Sequence, residues 1–343
     1  MSTRGALLVV LCALAAACGN RRGPATGEPD DVVVAAQPDL WPRIQGRVKA
    51  KLEPSFIATG RKAFEVVFQD PTKPEWPEQR RARQLLLIGT PTDPWVQEAL
   101  ERAAAPGEPP ALVELMNVWA EPQQVTVLTL PEGDARQAVT NKLDSLRLRL
   151  EERYRELVIG EMMMVGLNQP LADSLSENAG FSVLVPDDYE TSSANDVYAF
   201  RRGVDSGPDS GKVVRQVTVT WKSPVPPGLQ GEALLAWREQ VAAAHFGGVR
   251  QTVSLANVDA TQTTHRGNVA YQLLGVWRNQ TGRGPNRGPF IMRAVFCPTQ
   301  DRVYLVDGWL WAPDPAVHRY LVELESIVNS FRCGSARASQ PNE

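Results

Sequence analysis

Hydrophobic and polar residues follow a mixed strand and helix pattern in the first half of the chain. Short apolar segments predict strands, and residues 84–89 are expected at the centre of a sheet because nearly all of them are apolar. Apolar residues at steps of three and four predict helices that begin at Asp39 and at Asp93-Pro94. The predicted strands of this half are residues 31–36, 64–69, 84–89, 112–119 and 124–130.

A long amphipathic helix is predicted from Asp134 to Leu157. Gln137 is placed to complete a capping box with Asp134, and the opposite face of the helix is charged. A position on a sheet is favoured over a coiled-coil partner because the apolar repeat is short. Residues 161–178 then read as a partly helical connector that ends at Gly180.

The second half of the chain is dominated by strand patterns. Residues 213–222 alternate apolar and polar side chains, which predicts an antiparallel sheet with one face in water. Helices are predicted at residues 232–245 and 314–332, the second one packing on the sheet. The remaining predicted strands are residues 181–186, 198–202, 261–277, 289–297 and 302–311. The fold class that follows is α+β, with two α/β sandwich-like domains, the second an antiparallel sheet flanked by helices.

The N-terminus has the pattern of a lipoprotein signal peptide. Arg4 precedes a short apolar stretch, and small residues lead to Cys18. The stretch is too short to span a bilayer, which takes about 20 apolar residues, and its flanks suit an exported leader. We therefore expect residues 1–17 to be removed and Cys18 to carry lipid; the alternative is an ordinary secretory leader cleaved after Ala17. Gly19 after the anchor favours the outer membrane, facing the periplasm.

Composition divides the rest of the chain into domains and excludes one class of function. Residues 18–30 are predicted as a flexible tether, residues 31–160 as an N-terminal α+β domain and residues 161–180 as the connector. Residues 181–333 form the predicted C-terminal α+β domain, followed by a tail at residues 334–343. The formal charge of −3 argues against a nucleic-acid binder. The lipid is then the expected membrane contact, and an envelope protein is the expected partner.

Two cysteines remain after the leader and the anchor. Cys297 and Cys333 lie in an exported chain, so a disulfide is the default prediction. A strand, a second strand and a final helix also bring the chain end back beside Cys297. The alternative is two unpaired, buried thiols.

The sequence predicts no catalytic residues, no metal site and no cofactor. The histidines His245, His265 and His318 lack the spacing of a metal site, and a nucleophile elbow is absent. The pattern therefore favours a non-enzymatic binding or interaction module. An envelope hydrolase with a site between the domains and a structural accessory of an outer-membrane assembly remain as alternatives.

Candidate ligand-binding residues lie in the segment 278–289 and in the predicted strand at residues 302–311. The arginines Arg278, Arg283 and Arg287, with glycines between them, have the chemistry to hold a phosphate or carboxylate, although their spacing fits no phosphate loop. Trp309 and Trp311 share one strand face and have the shape to stack on a sugar or peptide. The alternatives are a solvated hairpin connection and a tryptophan pair in the core under the last helix.

Several short motifs are distributed along nearly the whole mature chain. They are Asp31-Val32-Val33-Val34, Leu40-Trp41, Asn117–Val125, Phe181–Tyr189, Gly275-Val276-Trp277, Gly288-Pro289-Phe290 and Asp307–Pro313. In these residues and in their order the chain resembles domain-of-unknown-function family 4837, a set of bacterial envelope lipoproteins. Arg287 replaces the first glycine of a pair that the family usually has before Pro-Phe. The resemblance implies an exported two-part lipoprotein and supplies no reaction or site residues.

The second half is also similar to PsbP-like proteins. A Phe-Ser-Val-Leu-Val-Pro segment opens it at Phe181, and a Val-Tyr-Leu-Val-Asp-Gly strand with a helix ending at Ser330-Phe331 closes it. This resemblance implies an architecture, and an architecture does not determine a function.

Overall fold

The computed structural model describes residues 22–53, 55–56, 61–203, 213–246, 250–280, 286–312 and 317–334. These residues pack as two compact units, with the chain passing from one to the other after Glu53, at Phe64 and after Leu150. Unit 1 contains the described residues up to Glu53 and from Phe64 to Leu150, and unit 2 contains the others. The predicted leader, Cys18 and Arg283 lie outside the described residues.

Unit 1 has alternating strands and helices. The elements up to its last helix are, in chain order, β1 (Asp31–Ala36), α1 (Trp41–Leu52), β2 (Ser55–Phe56), β3 (Arg61–Lys62), β4 (Glu65–Gln69), α2 (Trp76–Gln79), β5 (Gln84–Gly89), α3 (Pro94–Leu100), β6 (Ala111–Met116), β7 (Gln124–Thr129) and α4 (Ala135–Val165). The short strands β2 and β3 pair with each other and belong to unit 2. Helix α4 is longer than predicted, and only its part up to Leu150 belongs to unit 1.

The sheet of unit 1 is mainly parallel, in the order β4-β1-β5-β7-β6. Only β6 runs antiparallel to its neighbour β7. Strand β5 lies at the centre with every residue buried, which confirms the prediction from its apolar sequence. Helices α2 and α3 pack on one face through Trp76 and Trp95. On the other face Trp41 of α1 stacks on Phe68 of β4, with 5.0 Å between the ring centroids.

Residues 22–30, assigned to a tether from the sequence, make backbone hydrogen bonds to unit 1. The amide of Ala25 donates to the carbonyl of Glu121, and the amide of Thr26 donates to the carbonyl of Arg81. Pro29 is buried. Polar composition predicted flexibility here, but backbone groups can pair whatever side chains accompany them.

Unit 2 contains the remaining helices and strands. In chain order they are α5 (Gln169–Asn178), β8 (Phe181–Ser182), β9 (Glu190–Ala194), β10 (Val197–Arg202), β11 (Val214–Lys222), α6 (Glu232–His245), β12 (Gln251–Thr252), β13 (Val258–His265), β14 (Asn268–Asn279), β15 (Arg287–Cys297), β16 (Arg302–Trp311), α7 (Val317–Ser330) and β17 (Arg332–Cys333). The predicted connector at residues 161–180 thus lies within unit 2, as the end of α4 and as α5.

The large sheet of unit 2 is antiparallel, in the order β12-β14-β15-β16-β11-β10-β9, with β13 also paired to β14. Helix α7 covers one face through Leu321, Leu324 and Val328. Helix α6 covers the other through Leu234 and Trp237. The molecule is therefore α+β, with an antiparallel sheet flanked by helices in its second half, as the sequence predicts.

The prediction of a water-facing side for residues 213–222 is wrong. Gln216, Thr218 and Thr220 alternate with valines as expected, yet all three are buried. Helix α6 covers that face, and the side-chain amide of Gln216 donates to the hydroxyl of Thr218 at 3.2 Å. Alternating polarity shows which residues share a face, but it does not show whether a helix lies on it.

Two predicted strands also differ from the structure. Residues 261–277 were expected as one strand, but they belong to the β13–β14 hairpin, which turns at Arg266 and Gly267 with φ of 49° and 83°. Residues 181–186 contain only the short strand β8, and beyond it the amide of Leu184 donates to the hydroxyl of Ser330 at 2.8 Å instead of to a neighbouring strand.

The predicted disulfide joins Cys297 at the end of β15 to Cys333 in β17, with 6.0 Å between the Cα atoms. Cys333 also pairs with Phe181 of β8. The bond encloses a sequence separation of 36 residues, and closing such a loop stabilises a fold by roughly 4 kcal/mol in the chain-entropy account. The chain end after α7 is thus held covalently against the sheet.

Candidate functional site

A row of polar residues crosses β12, β14 and β15 at one end of the large sheet. Arg278 of β14 lies directly opposite Arg287 of β15. Thr252 of β12 lies opposite Arg278 on its other side, and its hydroxyl donates to the carbonyl of Arg278 at 3.2 Å. Residues directly opposite each other point to the same face, so the two arginine side chains leave the sheet side by side. We call Arg278 and Arg287 the arginine pair.

The arginine pair is exposed, and no ion pair joins either residue to another part of the described chain. Like charges directly opposite each other on neighbouring strands destabilise a sheet. An anion placed between the two guanidinium groups would remove this repulsion and accept hydrogen bonds from both.

The backbone at Gly288, next to Arg287, lies very close to the neighbouring strand. A Cβ atom there would collide with the carbonyl oxygen of Leu310 on β16, and the ring of Trp277 also presses on this position. Only glycine allows the backbone of β15 to come this close to β16. The strand therefore continues without a bend as far as the arginine pair.

The predicted tryptophans do not join the arginine pair. Trp309 is 5% exposed and lies on the face that α6 covers. Its ring is 5.8 Å from that of Trp277 and 5.2 Å from that of Phe246, measured between ring centroids. Trp311 packs partly buried against the same cluster. Strand alternation places Arg278 and Arg287 on the α7 face, so the sheet separates them from both tryptophans. The tryptophans belong to the core, under α6 and not under the last helix.

A buried ion pair holds α6 to the sheet. Arg238 of α6 is fully buried, and its Nε donates to Asp307 of β16 at 3.0 Å. One Nη of Arg238 donates to Gln251 at 2.7 Å, and the guanidinium lies 4.2 Å from the ring of Phe290. Burial raises the pKa of Asp307, while Arg238 acts in the opposite direction. Sequence reasoning missed this pair because Arg238 sits in a helix whose inner face is otherwise apolar.

His265 is fixed by hydrogen bonds on both ring nitrogens. Arg293 donates to Nδ1 at 2.9 Å, so Nε2 carries the proton and donates to the carbonyl of Phe331 at 2.7 Å. Burial lowers the pKa of His265, and the charges of Arg293 and Arg266 lower it further. The ring therefore supports the chain end beside the disulfide.

Glu323 of α7 is a buried carboxylate with three partners. Tyr189 donates to it at 2.8 Å and Arg215 at 2.5 Å, and Arg202 lies 3.8 Å away. Burial raises the pKa of Tyr189 well above its usual value, and the neighbouring carboxylate adds to the shift. These contacts join α7 to β10 and β11.

A cavity of about 340 Å³ opens on the sheet of unit 1. It mixes apolar side chains with carboxylates and amides, and sequence reasoning did not find it. Its lining residues are Thr26, Gly27, Asp31, Val33, Val67, Gln69, Glu78, Gln79 and Ala82.

Within the described ranges, no group of three His, Cys, Asp or Glu side chains is arranged to hold a metal ion. None of the helices described is both long enough and apolar enough to cross a bilayer.

Part of the chain matches a known family model. Residues 168–330 match the family model of a domain of unknown function, DUF4837. The resemblance drawn from the sequence motifs is thereby confirmed for most of unit 2, while the motifs at residues 31–41 and 117–125 lie outside the matched range. DUF4837 has no assigned activity in its description, so the match carries no site residues.

Similar solved structures each align with less than half of this chain. The Ran-binding protein Mog1p of Saccharomyces cerevisiae aligns at 10% identity with a TM-score of 0.29, over 45% of this chain and 90% of its own. LpqN of Mycobacterium tuberculosis, described as involved in cell envelope biogenesis, aligns at 14% identity with a TM-score of 0.26, over 44% and 81%. A Bacteroides thetaiotaomicron protein aligns at 9% identity with a TM-score of 0.25, over 47% of each chain.

No curated protein matches the sequence. The function is therefore inferred from this chain's own residues.

Proposed function

We propose that this chain is a lipid-anchored binding module of the cell envelope, and that its ligand carries an anionic group held by Arg278 and Arg287. The observation that carries the proposal is the arginine pair itself. Two exposed guanidinium groups stand directly opposite each other on β14 and β15 with no acidic partner among the described residues.

The cell-envelope part of the proposal rests on the N-terminal sequence and on the disulfide. Lipid on Cys18 would place the chain on a membrane, and the outer membrane facing the periplasm is the location we propose. The Cys297–Cys333 disulfide fits such a compartment, because disulfides persist in oxidising environments. An envelope protein with exposed acidic side chains is the partner that we expect.

The chemistry of arginine explains the choice of ligand. A guanidinium group is planar, remains charged and offers paired N–H donors that match a carboxylate or a phosphate. Two such groups side by side can each donate to a different oxygen of the same anion. Arg283, the third arginine of the sequence prediction, lies outside the described residues.

Binding is favoured over catalysis because two histidines and two cysteines are engaged in holding the fold together. His265 uses both ring nitrogens within the fold, and His318 donates to the carbonyl of Ala63 at 2.8 Å. Cys297 and Cys333 are joined to each other. These groups support the structure and are not free to act as a base or a nucleophile.

Inorganic phosphate is the probe for the arginine pair. The free energy of unfolding of the full chain, purified in detergent, is measured in phosphate and in chloride at the same pH and ionic strength. At ten times its Kd, phosphate should stabilise the wild type by about 1.4 kcal/mol through binding to the folded state. The double variant Arg278→Gln/Arg287→Gln should lose this phosphate-specific gain, and it should be more stable than the wild type in chloride because the repulsion is gone.

Arg102→Gln is the matched control, because it removes an exposed arginine of unit 1 that faces no second arginine across a strand. It should keep the response of the wild type. A double variant that still gains stability in phosphate, or a wild type that gains none, would show that the arginine pair holds no anion.

A further inference from the structure

The cavity of unit 1 lies on the outer half of the parallel sheet. Its floor is formed by Val33 of β1 and Val67 of β4, which are directly opposite each other in the register. Both valines are only half-buried, although their strand neighbours Val32, Val34 and Val66 are buried. The floor is thus an apolar sheet surface that the rest of the unit leaves open.

The open surface results from the shortness of α2. This helix has four residues, Trp76–Gln79, and its Trp76 packs toward the centre of the sheet. Near the edge strand β4, the only residues of α2 that line the cavity are Glu78 and Gln79. The opposite wall is the N-terminal segment, where Thr26 pairs with Ala82 as an isolated bridge. The cavity of about 340 Å³ between these walls is large enough for a small molecule.

The polar groups around the cavity are mainly hydrogen-bond acceptors. Asp31 and Glu78 are carboxylates, and the lining contains no basic side chain. Arg81 lies just outside the lining and pairs with Glu78 at 3.2 Å, so one of the two negative charges is already balanced. Asp31 accepts a hydrogen bond from the amide of Glu28 at 3.3 Å, and no ion pair balances its charge in the part of the chain that the structure describes.

We propose that this cavity binds a small organic ammonium compound. Its hydrocarbon part would lie on Val33 and Val67, and its charged nitrogen would donate hydrogen bonds to the carboxylate of Asp31. A cation fits the lining because a hydrogen bond to a charged acceptor is stronger than one to a neutral acceptor. An anion would meet two carboxylates, and a purely apolar molecule would leave the charge of Asp31 unbalanced.

Butylammonium is the probe, with 1-butanol and butyrate as matched compounds of the same chain length and different head group. Binding to the full chain in detergent is measured by ligand-observed NMR titration. Butylammonium should bind at least about tenfold more tightly than 1-butanol, because hydrogen bonds to charged groups are stronger than neutral ones. Butyrate should bind more weakly than either.

Two variants place the compound in the cavity. Asp31→Asn keeps the shape of the side chain and removes its charge, so it should weaken butylammonium binding about tenfold and leave 1-butanol unchanged. Val67→Phe fills the floor and should abolish binding of both compounds. Glu132→Gln, an exposed carboxylate of unit 1 away from the lining, is the control that makes the same change in net charge.

Equal affinity for butylammonium and 1-butanol would overturn the proposal, and so would butylammonium binding that Asp31→Asn and Glu132→Gln weaken to the same extent. Circular dichroism verifies that Val67→Phe is folded, and the Asp31→Asn comparison decides the question even if it is not. The result is independent of the arginine pair, which lies in the other unit.

Discussion

The imidazole of His318 stacks on the ring of Tyr154, with 4.5 Å between the ring centroids, and its Nδ1 donates to the carbonyl of Ala63 at 2.8 Å. Burial lowers the pKa of His318 from 6.5 to about 4, and the hydrogen bond to Ala63 opposes this shift. The folded protein therefore keeps this ring neutral in conditions where the unfolded chain would take up a proton.

The consequence is a loss of stability in mild acid. Since the pKa of His318 is lower in the folded state, its contribution is complete above pH 6.5 and is lost as the pH falls through 6.5 to about 4. From this group alone we expect about 3 kcal/mol less stability at pH 4 than at pH 7.5. Urea unfolding across this pH range measures the effect.

His318→Gln should remove that part of the pH dependence, even though the variant is less stable at pH 7.5. The wild type, measured over the same pH range, is the reference for the pH dependence. If the free energy of unfolding of His318→Gln changed with pH as much as that of the wild type, the acid sensitivity would belong to other groups.

At the residue scale, sequence reasoning found the arginines but not their geometry. Arg278 and Arg287 stood out by charge, while their pairing depends on the β14–β15 register, which composition does not reveal. Trp309 and Trp311 stood out by type, and burial under α6 removed them from the candidate site. Arg238 gave no signal, because its partner Asp307 is 69 residues away in sequence.

Helix α6 shows what a single buried charge does to the docking of an element. Its boundaries, Glu232–His245, were predicted correctly from the apolar positions and the glycines after it. Its contact with the sheet depends on Arg238 and Asp307, both of which are almost fully buried. Removing one partner of such a pair leaves an uncompensated charge in the core.

Arg238→Met or Asp307→Leu alone should destabilise the protein by about 3–5 kcal/mol. The double variant Arg238→Met/Asp307→Leu should recover most of this loss, because no charge remains buried. Urea unfolding of the wild type and the three variants forms a double-mutant cycle that gives the coupling free energy. Additive losses in the double variant would mean that the two side chains do not act as a pair.

Element prediction failed where local signals were weak. The β13–β14 hairpin was read as one strand because its turn, Arg266-Gly267, interrupts a continuous β-type sequence. The prediction that one face of β11 lies in water was wrong because α6, from a later part of the chain, covers that face. Central strands such as β5 were predicted well, because full burial on both faces requires a wholly apolar sequence.

At the scale of the whole molecule, the α+β class and the disulfide followed from the order of elements and from the cysteine count. The cavity of unit 1 did not follow, because it is defined by what α2 fails to cover. The hydrophobic periodicity of a sequence does not show which part of a sheet surface is left uncovered by helices. The matched range 168–330 likewise covers unit 2 in large part and supplies no residues for this cavity.

The proposed anchor gives a prediction for the complete protein. The wild type should fractionate with membranes, and mass spectrometry should find its N-terminus at Cys18 with a diacylglyceryl group. Cys18→Ser should shift the protein to the soluble fraction or leave the leader uncleaved, because the thiol is the acceptor of the lipid. Cys12→Ser, which changes the leader only, should behave as the wild type. A native product with an unmodified residue 18 would contradict the anchor.

The pairing of the N-terminal segment with unit 1 limits the length of the spacer between Cys18 and that unit. Pro24 already bridges to Glu121, so only the steps from Cys18 to Pro24 are available as a spacer, and these extend at most about 22 Å. A lipid at Cys18 would therefore hold unit 1 within a short standoff distance of the bilayer. A partner that binds unit 1 would then meet it close to the membrane surface.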